Sequence, residues 1–373
     1  MTPLEIASGV VVGTDPTTPP LPPFAGQSPR NALEQAILPA LLRGPCIVAF
    51  SGGRDSSGML ALGTHVARRE GLPLPVPLTI TCPDSLAARE TAWQELVVRH
   101  LRLTDWQRID VTDELDVIGP HAQAALRAHG PLYPLNAYTY LPMFAYAAGG
   151  TLVTGLDGDG LLATWGAQPV ADVLARRRRP VPRDALRLGL WTAPGSVRRA
   201  VVRHRLRTAD TWLTPAADRE SRRGEAAEIA GEPTRWDRRV AWWQARRYLS
   251  LTKHFDTVLA GAAGVAMSHP LLDGAFLASI AQLGARFGPG DRTAVMRMLM
   301  ADLLPADLLS RSSKAAFDDL LFNRYTREFA QTWGGTGVDL GLVDPERLRA
   351  AWRRPRFPID SALLLQATWL ASH

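Results

Sequence analysis

The fold class is decided by residues 46–57, CIVAFSGGRDSS, which join a strand-like run to a helix-like one. Cys46 to Phe50 are apolar and predict a buried strand, and a helical pattern begins near Ser56. Two glycines lie between these elements. Consecutive glycines let the main chain approach a ligand closely, and the free N–H groups at a helix start carry partial positive charge. The stretch therefore predicts a phosphate-binding loop at the end of a strand.

The polar side chains of this loop support the same prediction. Ser51, Ser56 and Ser57 add hydroxyl donors. Asp55 is the exception, because a carboxylate beside a phosphate is repelled unless a divalent cation lies between them. We therefore interpret Asp55 as a magnesium ligand. The alternative is a simple tight turn in which Asp55 or Ser56 caps the helix.

The surrounding elements predict an α/β fold built on a parallel sheet. Strand-like runs alternate with helix-like runs as far as residue 154, and strands separated by helices pair in parallel. Beyond residue 165 the sequence predicts helices and no further strand. The predicted strands are Cys46–Phe50, Val76–Thr81, Arg108–Val111 and Thr151–Thr154, and the predicted helices include Asn31–Leu42, Ser56–Glu70, Leu86–Leu101, Ala294–Leu304, Leu320–Phe329 and Ser361–Leu370.

Composition divides the chain into three regions. Residues 1–30 hold seven prolines and predict an extended or loosely packed arm. Residues 31–165 form the predicted phosphate-binding core, and residues 166–373 form a mostly helical region that completes the site. Within the last region, residues 176–247 carry 19 arginines against eight acidic residues. An acidic peptide, nucleic acid or ordinary solvation could account for that excess, and we favour solvation.

The composition also excludes several classes of protein. The chain has 373 residues, 46% of them hydrophobic, and no apolar run near the roughly 18 residues that a bilayer span requires. Its first 26 residues lack the basic and apolar regions of an export signal, so we expect a cytoplasmic protein with no membrane partner. Cys46 and Cys82 are too few for a disulfide framework or a four-cysteine zinc site.

A second acidic loop, Gly155–Gly160, follows the fourth predicted strand. Ligands of open α/β sheets bind beyond the carboxyl ends of the strands. If the first and fourth strands are neighbours, Asp55 and Asp159 could hold magnesium on the phosphates of one nucleotide. The alternatives are a surface turn and a dinucleotide fingerprint at Gly158–Ala163, which the two uncompensated aspartates disfavour. A Walker loop is excluded, because neither lysine of the chain follows a glycine.

The phosphate loop and the motifs that follow it resemble a known family. Residues 51–56, SGGRDS, are similar to the SGGxDS loop of ATP pyrophosphatases, which have the PP-loop, adenine-nucleotide α-hydrolase-like fold. The later motifs resemble the synthetase domain of class B asparagine synthetases, β-lactam synthetases and lasso-peptide cyclases, from about Arg30 to the C-terminus. These motifs are Pro83–Ser85 with Glu90, Thr154–Asp159, Gly264–Val265 with His269–Asp273, and Arg311–Phe317.

The resemblance implies a ligase that uses ATP and magnesium. A substrate carboxylate would be activated as an acyl-adenylate with release of pyrophosphate, and an amine would then attack to form an amide. Asp55 and Asp159 match magnesium ligands. Lys314, one of only two lysines, matches the lysine that neutralises charge on the phosphates and the intermediate. Nucleotide contacts are implied for Ala49, Ser51, Gly52, Gly53, Asp55, Ser56, Ser57, Thr81 and Gly155.

Departures from the family pattern narrow the expected reaction. Only about 30 residues precede the resemblance, so we expect no glutaminase domain, and the amine would come from a separate subunit, free ammonia or the substrate itself. Gly155–Asp157 reads Gly-Leu-Asp where related enzymes have Gly-Glu-Gly, and Ala266–Ser268 replaces Glu-Ala-Arg, which weakens the case for aspartate as substrate. The candidate acid/base residues are Asp157, Tyr133, Tyr138 and Tyr140, and the choice among them stays open. We expect the catalytic residues to include Asp157 and Tyr138 together with Lys314.

We predict an amide-forming ligase of natural-product biosynthesis, for example one that closes an antibiotic peptide into a macrolactam. Its partners would be a small-molecule or peptide carboxylate, and a precursor peptide or separate biosynthetic proteins. The alternatives are an ammonia-dependent enzyme similar to asparagine synthetase, an RNA-modifying ATP pyrophosphatase and an inactive nucleotide-binding scaffold. The RNA hypothesis would use the arginine-rich stretch with Trp236, Trp242 and Trp243. We expect Trp242 and Trp243 to pack in a helical core instead, and nucleic acid not to bind.

Overall fold

A parallel β-sheet lies at the centre of the fold. The computed structural model describes residues 1–83, 90–162, 165–206, 211–311 and 318–373, and within these ranges five strands pair in the order β3-β2-β1-β4-β5. The strands are Cys46–Ala49 (β1), Val76–Thr81 (β2), Gln107–Asp110 (β3), Thr151–Val153 (β4) and Ala266–Ser268 (β5). An α/β fold with a parallel sheet of PP-loop type, the predicted class, is confirmed.

Helices connect the strands and cover both faces of the sheet. Single-turn 3₁₀ helices lie at Ala137–Tyr140, Pro270–Leu272, Ala285–Phe287 and Ile359–Ser361. The α-helices described are Pro3–Ser8 (α1), Pro29–Leu42 (α2), Arg54–Glu70 (α3), Thr91–His100 (α4), Pro120–His129 (α5), Leu141–Phe144 (α6), Gly158–Leu162 (α7), Gln168–Leu174 (α8), Pro182–Thr192 (α9), Gly195–Arg205 (α10), Pro215–Gly231 (α11), Trp236–Gln244 (α12), Arg247–Ala262 (α13), Gly274–Gln282 (α14), Arg292–Met300 (α15), Ala306–Ser310 (α16), Asp318–Leu321 (α17), Arg324–Thr332 (α18), Pro345–Trp352 (α19) and Ala362–Ser372 (α20).

The strand order places the first and fourth strands side by side. In the register of β1, Ile47 lies opposite Val76 of β2 on one side and Leu152 of β4 on the other. The chain adds β2 and β3 on one side of β1, and β4 and β5 on the other. Such a reversal is the point of an open parallel sheet where ligands bind, beyond the carboxyl ends of the strands. The loops that follow β1 and β4 therefore share one edge, which meets the condition that the sequence left open for Asp55 and Asp159.

Alternating side chains divide the core into two clusters, one on each face of the sheet. Val48 of β1 and Val153 of β4 belong to the first, with helices α2, α3, α14 and α15, whereas Ile47 and Leu152 belong to the second, with α5, α13 and α20. Successive side chains of a strand point to opposite faces, so both faces of β1 and β4 are buried. The sheet edge that carries the two loops is thus fixed from both sides.

One strand was missed and several boundaries differ slightly. β5 lies in the region predicted to be helical, because three half-buried residues of mixed polarity give no strand pattern. Helix α3 begins at Arg54, two residues earlier than predicted, with Gly53 as its N-cap. The helix predicted from Leu86 is described from Thr91 to His100, and residues 86–89 lie outside the described ranges. The division of the chain at residue 165 stays a prediction.

The N-terminal segment packs more closely than its prolines suggested. Thr2 and Glu5 form a capping box at the start of α1, and Ala7 and Val11 are buried. The Trp212 indole N–H donates to the Ala7 carbonyl at 2.7 Å. The prediction of an extended or loosely packed arm is wrong for these residues, because a Thr-Pro-x-Glu start specifies a helix that can dock.

Some arginines of the arginine-rich region form ion pairs within the chain. Arg178 contacts Asp184 at 2.6 Å, and Arg239 contacts Glu232 at 3.3 Å. Trp243 is 2% exposed in the first core cluster, and the partly buried Trp242 packs against that cluster. The expected packing of both tryptophans is confirmed. None of the described helices has the length and apolar character that a membrane span requires.

Trp243→Ala should lower the free energy of unfolding by about 3–5 kcal/mol, because it removes a large buried side chain and leaves a cavity. Chemical denaturation monitored by circular dichroism measures the change. Leu186→Ala is the control: Leu186 is 77% exposed, and its truncation should change stability by no more than about 0.5 kcal/mol. Equal losses in the two variants would contradict the assignment of Trp243 to the core.

Candidate active site

A cleft of about 570 Å³ opens at the carboxyl ends of β1 and β4. It receives most of the residues that the sequence singled out, although the loops that carry them lie about 100 residues apart in the chain. The cleft is also lined by three arginines, Arg54, Arg292 and Arg311. The predicted site residues on its wall are Ala49, Ser51, Gly53, Asp55, Ser56, Gly155, Asp157 and Asp159.

The loop after β1 is held in shape by its own polar groups. Gly52 has φ of +83°, a conformation that side chains rarely adopt, and a Cβ there would lie 2.8 Å from Gln94 Cγ. The hydroxyl oxygens of Ser51 and Ser56 lie 3.0 Å apart, and Gln94 donates to the Ser51 carbonyl at 3.1 Å. The N-cap Gly53 has no side chain to bond the first N–H groups of α3. These features suit a loop that presents N–H groups to an anion.

Asp55 and Asp159 meet at one guanidinium group. Nη2 of Arg292 donates to Asp55 Oδ2 at 2.6 Å and to Asp159 Oδ1 at 2.8 Å. Burial and the neighbouring Asp159 carboxyl raise the pKa of Asp55, whereas the positive charge of Arg292 lowers it. Two carboxylates this close need a compensating positive charge, and Arg292 supplies it.

Two glycines of the acidic loop, which have no side chain, allow this loop to approach α3. A Cβ on Gly155 would lie 2.8 Å from the Asp55 carbonyl carbon, and one on Gly158 would lie 2.6 Å from Asp55 Cγ. The predicted pairing of Asp55 with Asp159 therefore depends on these glycines. The sequence did not identify Arg292, which lies at the start of α15 and about 130 residues beyond Asp159.

The acidic pair fits magnesium by the chemistry of its donors. Oδ1 of Asp55 is buried and has no hydrogen-bond partner among the described residues. Magnesium is bound in nucleotide sites by one or two carboxylates together with phosphate oxygens and water. No group of three or more His, Cys, Asp or Glu side chains suited to a metal occurs within the described ranges. Asp55 and Asp159 are thus the residues that would hold the ion with a nucleotide.

Sequence comparison agrees with this geometry. The family model for asparagine synthase matches residues 30–369, which is most of the chain. This chain belongs to the asparagine synthase family. No curated protein matches it. Family membership establishes an ATP-dependent ligase of the amidoligase type, and it agrees with the resemblance predicted from the phosphate loop.

In this member of the asparagine synthase family, Glu90 and Arg311, which belong to two separate sequence motifs, form a buried ion pair. Arg311 Nη1 and Nη2 donate to the two carboxylate oxygens of Glu90 at 2.5 and 2.8 Å. Nη1 also donates to the Gly52 carbonyl at 3.0 Å, and the guanidinium lies over the Trp93 ring. The sequence placed Glu90 and Arg311 in separate motifs without roles. The structure assigns them a common one, which is to fix the glycine turn of the phosphate loop.

Asp157 has a partner that the sequence did not reveal. The Tyr248 hydroxyl, at the start of α13, donates a short hydrogen bond to Asp157 Oδ2. Burial raises the pKa of Asp157 to about 6, although the Tyr248 hydrogen bond lowers it. The two residues lie 91 positions apart, so no local pattern connects them. A partly protonated carboxyl beside a phenol in the cleft can exchange protons with a substrate.

Some predicted residues lie elsewhere. Tyr138 is fully buried and donates to the Leu115 carbonyl at 2.7 Å, so its assignment as a catalytic residue is wrong in this geometry; Tyr140 lines the cleft instead. Ser57 is buried within α3, and Thr81 bonds to Asp110 on the neighbouring strand, so neither lines the cleft. Gly52 contributes through its turn rather than as cleft wall. Lys314 lies outside the described residues.

Gly155→Ala should weaken ATP binding by roughly 10- to 100-fold, because a Cβ at this position must push the acidic loop away from α3. Isothermal titration of ATP with magnesium measures the affinity. Gly189→Ala is the matched control, since nothing lies within 4 Å of a Cβ on that exposed residue of α9. Unchanged ATP affinity in the Gly155 variant would contradict the close approach of the two loops.

Proposed function

We propose that this enzyme activates the carboxylate of a peptide or small molecule as an acyl-adenylate and joins it to an amine in natural-product biosynthesis. The observation that carries the proposal is the union, in one cleft, of the phosphate loop with Asp55, Asp159 and Arg292. A cytoplasmic location, where ATP is supplied, is part of this proposal. So are a precursor peptide and separate biosynthetic proteins as partners.

The phosphate loop and the arginines would bind the polyphosphate of ATP. The N–H groups at the start of α3, with the Ser51 and Ser56 hydroxyls, are donors suited to the β- and γ-phosphates. Arg54 lies on the same wall and donates to Thr293 at 3.1 Å, which keeps its charge near the loop. Magnesium bound by Asp55 and Asp159 would neutralise phosphate charge in this step. Lys314 stays a proposed cation that, besides magnesium, would neutralise charge on the phosphates.

Adenylation forms one bond and breaks another. An oxygen of the substrate carboxylate attacks the α-phosphorus, the bond to the β-phosphate oxygen breaks, and pyrophosphate leaves with the electron pair. No proton needs to move in this step. The task of the protein is to hold the two anions together, and a fixed cationic group such as Arg54 would contribute to this without reorganising in the transition state.

Amide formation requires a proton acceptor, and Asp157 with Tyr248 is the pair that the geometry favours. The attacking amine must lose a proton as it bonds to the acyl carbon and AMP leaves. Asp157 lies on the cleft wall, and the hydroxyl of Tyr248 holds its carboxylate in place. The pair would replace the glutamate that related enzymes carry at the position of Leu156.

Part of the cleft lining is uncharged, and this supports a peptide substrate over a free amino acid. Leu115, Met143 and Leu320 belong to this part of the lining, as do Asn136 and Thr139. Free aspartate would carry an ammonium and a second carboxylate into these surroundings, and burying such charges is costly. A peptide presents uncharged main chain and side chains around its reacting carboxylate.

Asp159→Asn should lower ATP–pyrophosphate exchange by on the order of 10²-fold, because it removes one negative charge from the acidic pair. The assay uses labelled pyrophosphate and a panel of peptides with a single side-chain carboxylate, alongside free aspartate and glutamate. Asp105→Asn is the control, since Asp105 is exposed and precedes β3 at the opposite edge of the sheet. Exchange at the wild-type rate in Asp159→Asn would refute the role of the pair.

Tyr248→Phe should separate the two steps of the reaction. The ring is retained, so we expect exchange within about threefold of wild type, whereas amide formation should fall by roughly 100-fold because Asp157 loses its hydrogen bond. Mass spectrometry of the amide product, with ammonia as the amine, follows the second step. An equal fall in both steps would show that Tyr248 acts on adenylation and would overturn the assignment.

A further inference from the structure

A line of polar side chains runs from the interior to the cleft behind the acidic loop. Thr154 follows β4, His269 follows β5, and Asp256 lies on α13. The Thr154 hydroxyl oxygen is 2.7 Å from His269 Nδ1, and His269 Nε2 is 3.4 Å from Asp256 Oδ2. Three elements that are separate in the sequence thus bring a carboxyl, an imidazole and a hydroxyl into sequential contact.

Thr154 links His269 to the acidic loop. The Leu156 N–H donates to the Thr154 hydroxyl oxygen at 3.2 Å, and the same oxygen lies 2.7 Å from His269 Nδ1. Either partner of the Thr154–His269 bond can be the donor, because a hydroxyl and a ring nitrogen each serve in both roles. The acidic loop, Thr154 and His269 are therefore ordered together.

Burial of the Asp256 carboxyl in this position is energetically unfavourable. It is 1% exposed, and neither of its oxygens has a hydrogen-bond partner among the described residues. Burial raises the pKa of Asp256 to about 7, and burial together with the charge of Lys253 lowers the pKa of His269 to about 4. A buried carboxyl without a hydrogen bond destabilises a fold, so packing alone does not explain it.

The other end of the line reaches the cleft. Thr154 lies on the cleft wall and immediately precedes the loop that carries Asp157 and Asp159. The phenol of Tyr140, on the same wall, lies beside the Thr154 hydroxyl, which lowers its pKa against the opposing effect of burial. His269 and Asp256 do not line the cleft. They can act on a substrate only through Thr154.

We propose that His269 and Asp256 are positioning residues that fix Thr154, and through it the Gly155–Asp159 loop and the Tyr140 hydroxyl, on the substrate side of the cleft. The inference rests on the proposed function. It adds two residues that neither touch substrate nor lie in the phosphate loop. Removal of the Thr154–His269 hydrogen bond frees the Thr154 side chain to rotate and lets the loop shift, and displacements of about 1 Å can lower a rate by about 10²-fold.

Kinetic comparison of two His269 variants tests the role. His269→Leu should lower kcat for ATP–pyrophosphate exchange by roughly 10- to 100-fold, and it should also raise the ATP KM because the loop that shifts carries Asp159. His269→Asn places an amide near the position of Nδ1 and should recover a large part of the loss. His129→Leu, at an exposed position of α5, is the matched control. Equal defects in the Leu and Asn variants, or a changed KM with kcat intact, would overturn the proposal.

Asp256→Asn separates positioning from a structural role. Replacement of a buried carboxyl by a neutral amide should leave the melting temperature unchanged or raise it at pH 8, while kcat falls by about 10-fold or more. A lower melting temperature with wild-type kcat would mean that the residue serves stability alone, and would refute the inference.

A spectroscopic measurement is independent of any activity. In protein labelled with ¹⁵N-histidine, the His269 resonances, identified by their absence in His269→Leu, should show a hydrogen-bonded Nδ1. Thr154→Val should shift the Nδ1 signal toward that of an unbonded ring nitrogen, and Thr154→Ser should restore it. An Nδ1 signal that is the same in wild type and Thr154→Val would refute the geometry. If the wild-type protein catalyses ATP–pyrophosphate exchange without any carboxylate substrate, the proposed function fails. The spectra would still test the hydrogen bond between Thr154 and His269.

Discussion

Two like-charged carboxylates, Asp55 and Asp159, are brought to a single guanidinium, and the rest of the site depends on how their repulsion is offset. Asp55 is nearly buried, so water screens little of its charge. Arg292 supplies the compensating charge through two hydrogen bonds. Any polyanion that binds against this pair therefore needs further positive charge, and Arg54 lies on the same wall. Binding of the nucleotide and neutralisation of the acidic pair are therefore coupled.

The sheet fixes the relative positions of the two loops that carry these carboxylates. β1 and β4 are paired directly, and both faces of each are buried, so their carboxyl ends cannot move independently. A second constraint comes from the buried pair of Glu90 and Arg311, which holds the Gly52 carbonyl. Loss of one partner of a buried pair leaves an uncompensated charge, so such pairs fix conformation even where they add little stability. The phosphate loop is therefore tied both to the sheet and to the chain that follows α16.

The sequence could predict the features whose signals are local. The strand, the glycine turn and the helix of residues 46–57 each have their own pattern, and the parallel sheet follows from the alternation of elements. The order of its strands does not, because it depends on pairing between distant segments. Arg292 could not be predicted, because nothing in its surroundings distinguishes it from 39 other arginines. Tyr248 and the fully buried state of Tyr138 depend on packing between distant segments. The helix at Pro3–Ser8 is different, because the capping box of Thr2 and Glu5 is a local signal although the segment is rich in proline.

The position of Asp157 bears on whether the chain is an enzyme or an inactive scaffold. Asp157 has φ of +57°, a left-handed conformation that costs a residue other than glycine about 1–3 kcal/mol. Aspartate tolerates it better than most residues, but a surface turn would be relieved by glycine or asparagine. Here the strained residue carries a carboxylate that lines the cleft and accepts a hydrogen bond from Tyr248, whose ring packs beneath the guanidinium of Arg246. A scaffold that had lost its chemistry would gain stability by giving up that strain. Under the proposed function, the acid/base group would therefore lie at Asp157, one residue beyond the position of Leu156.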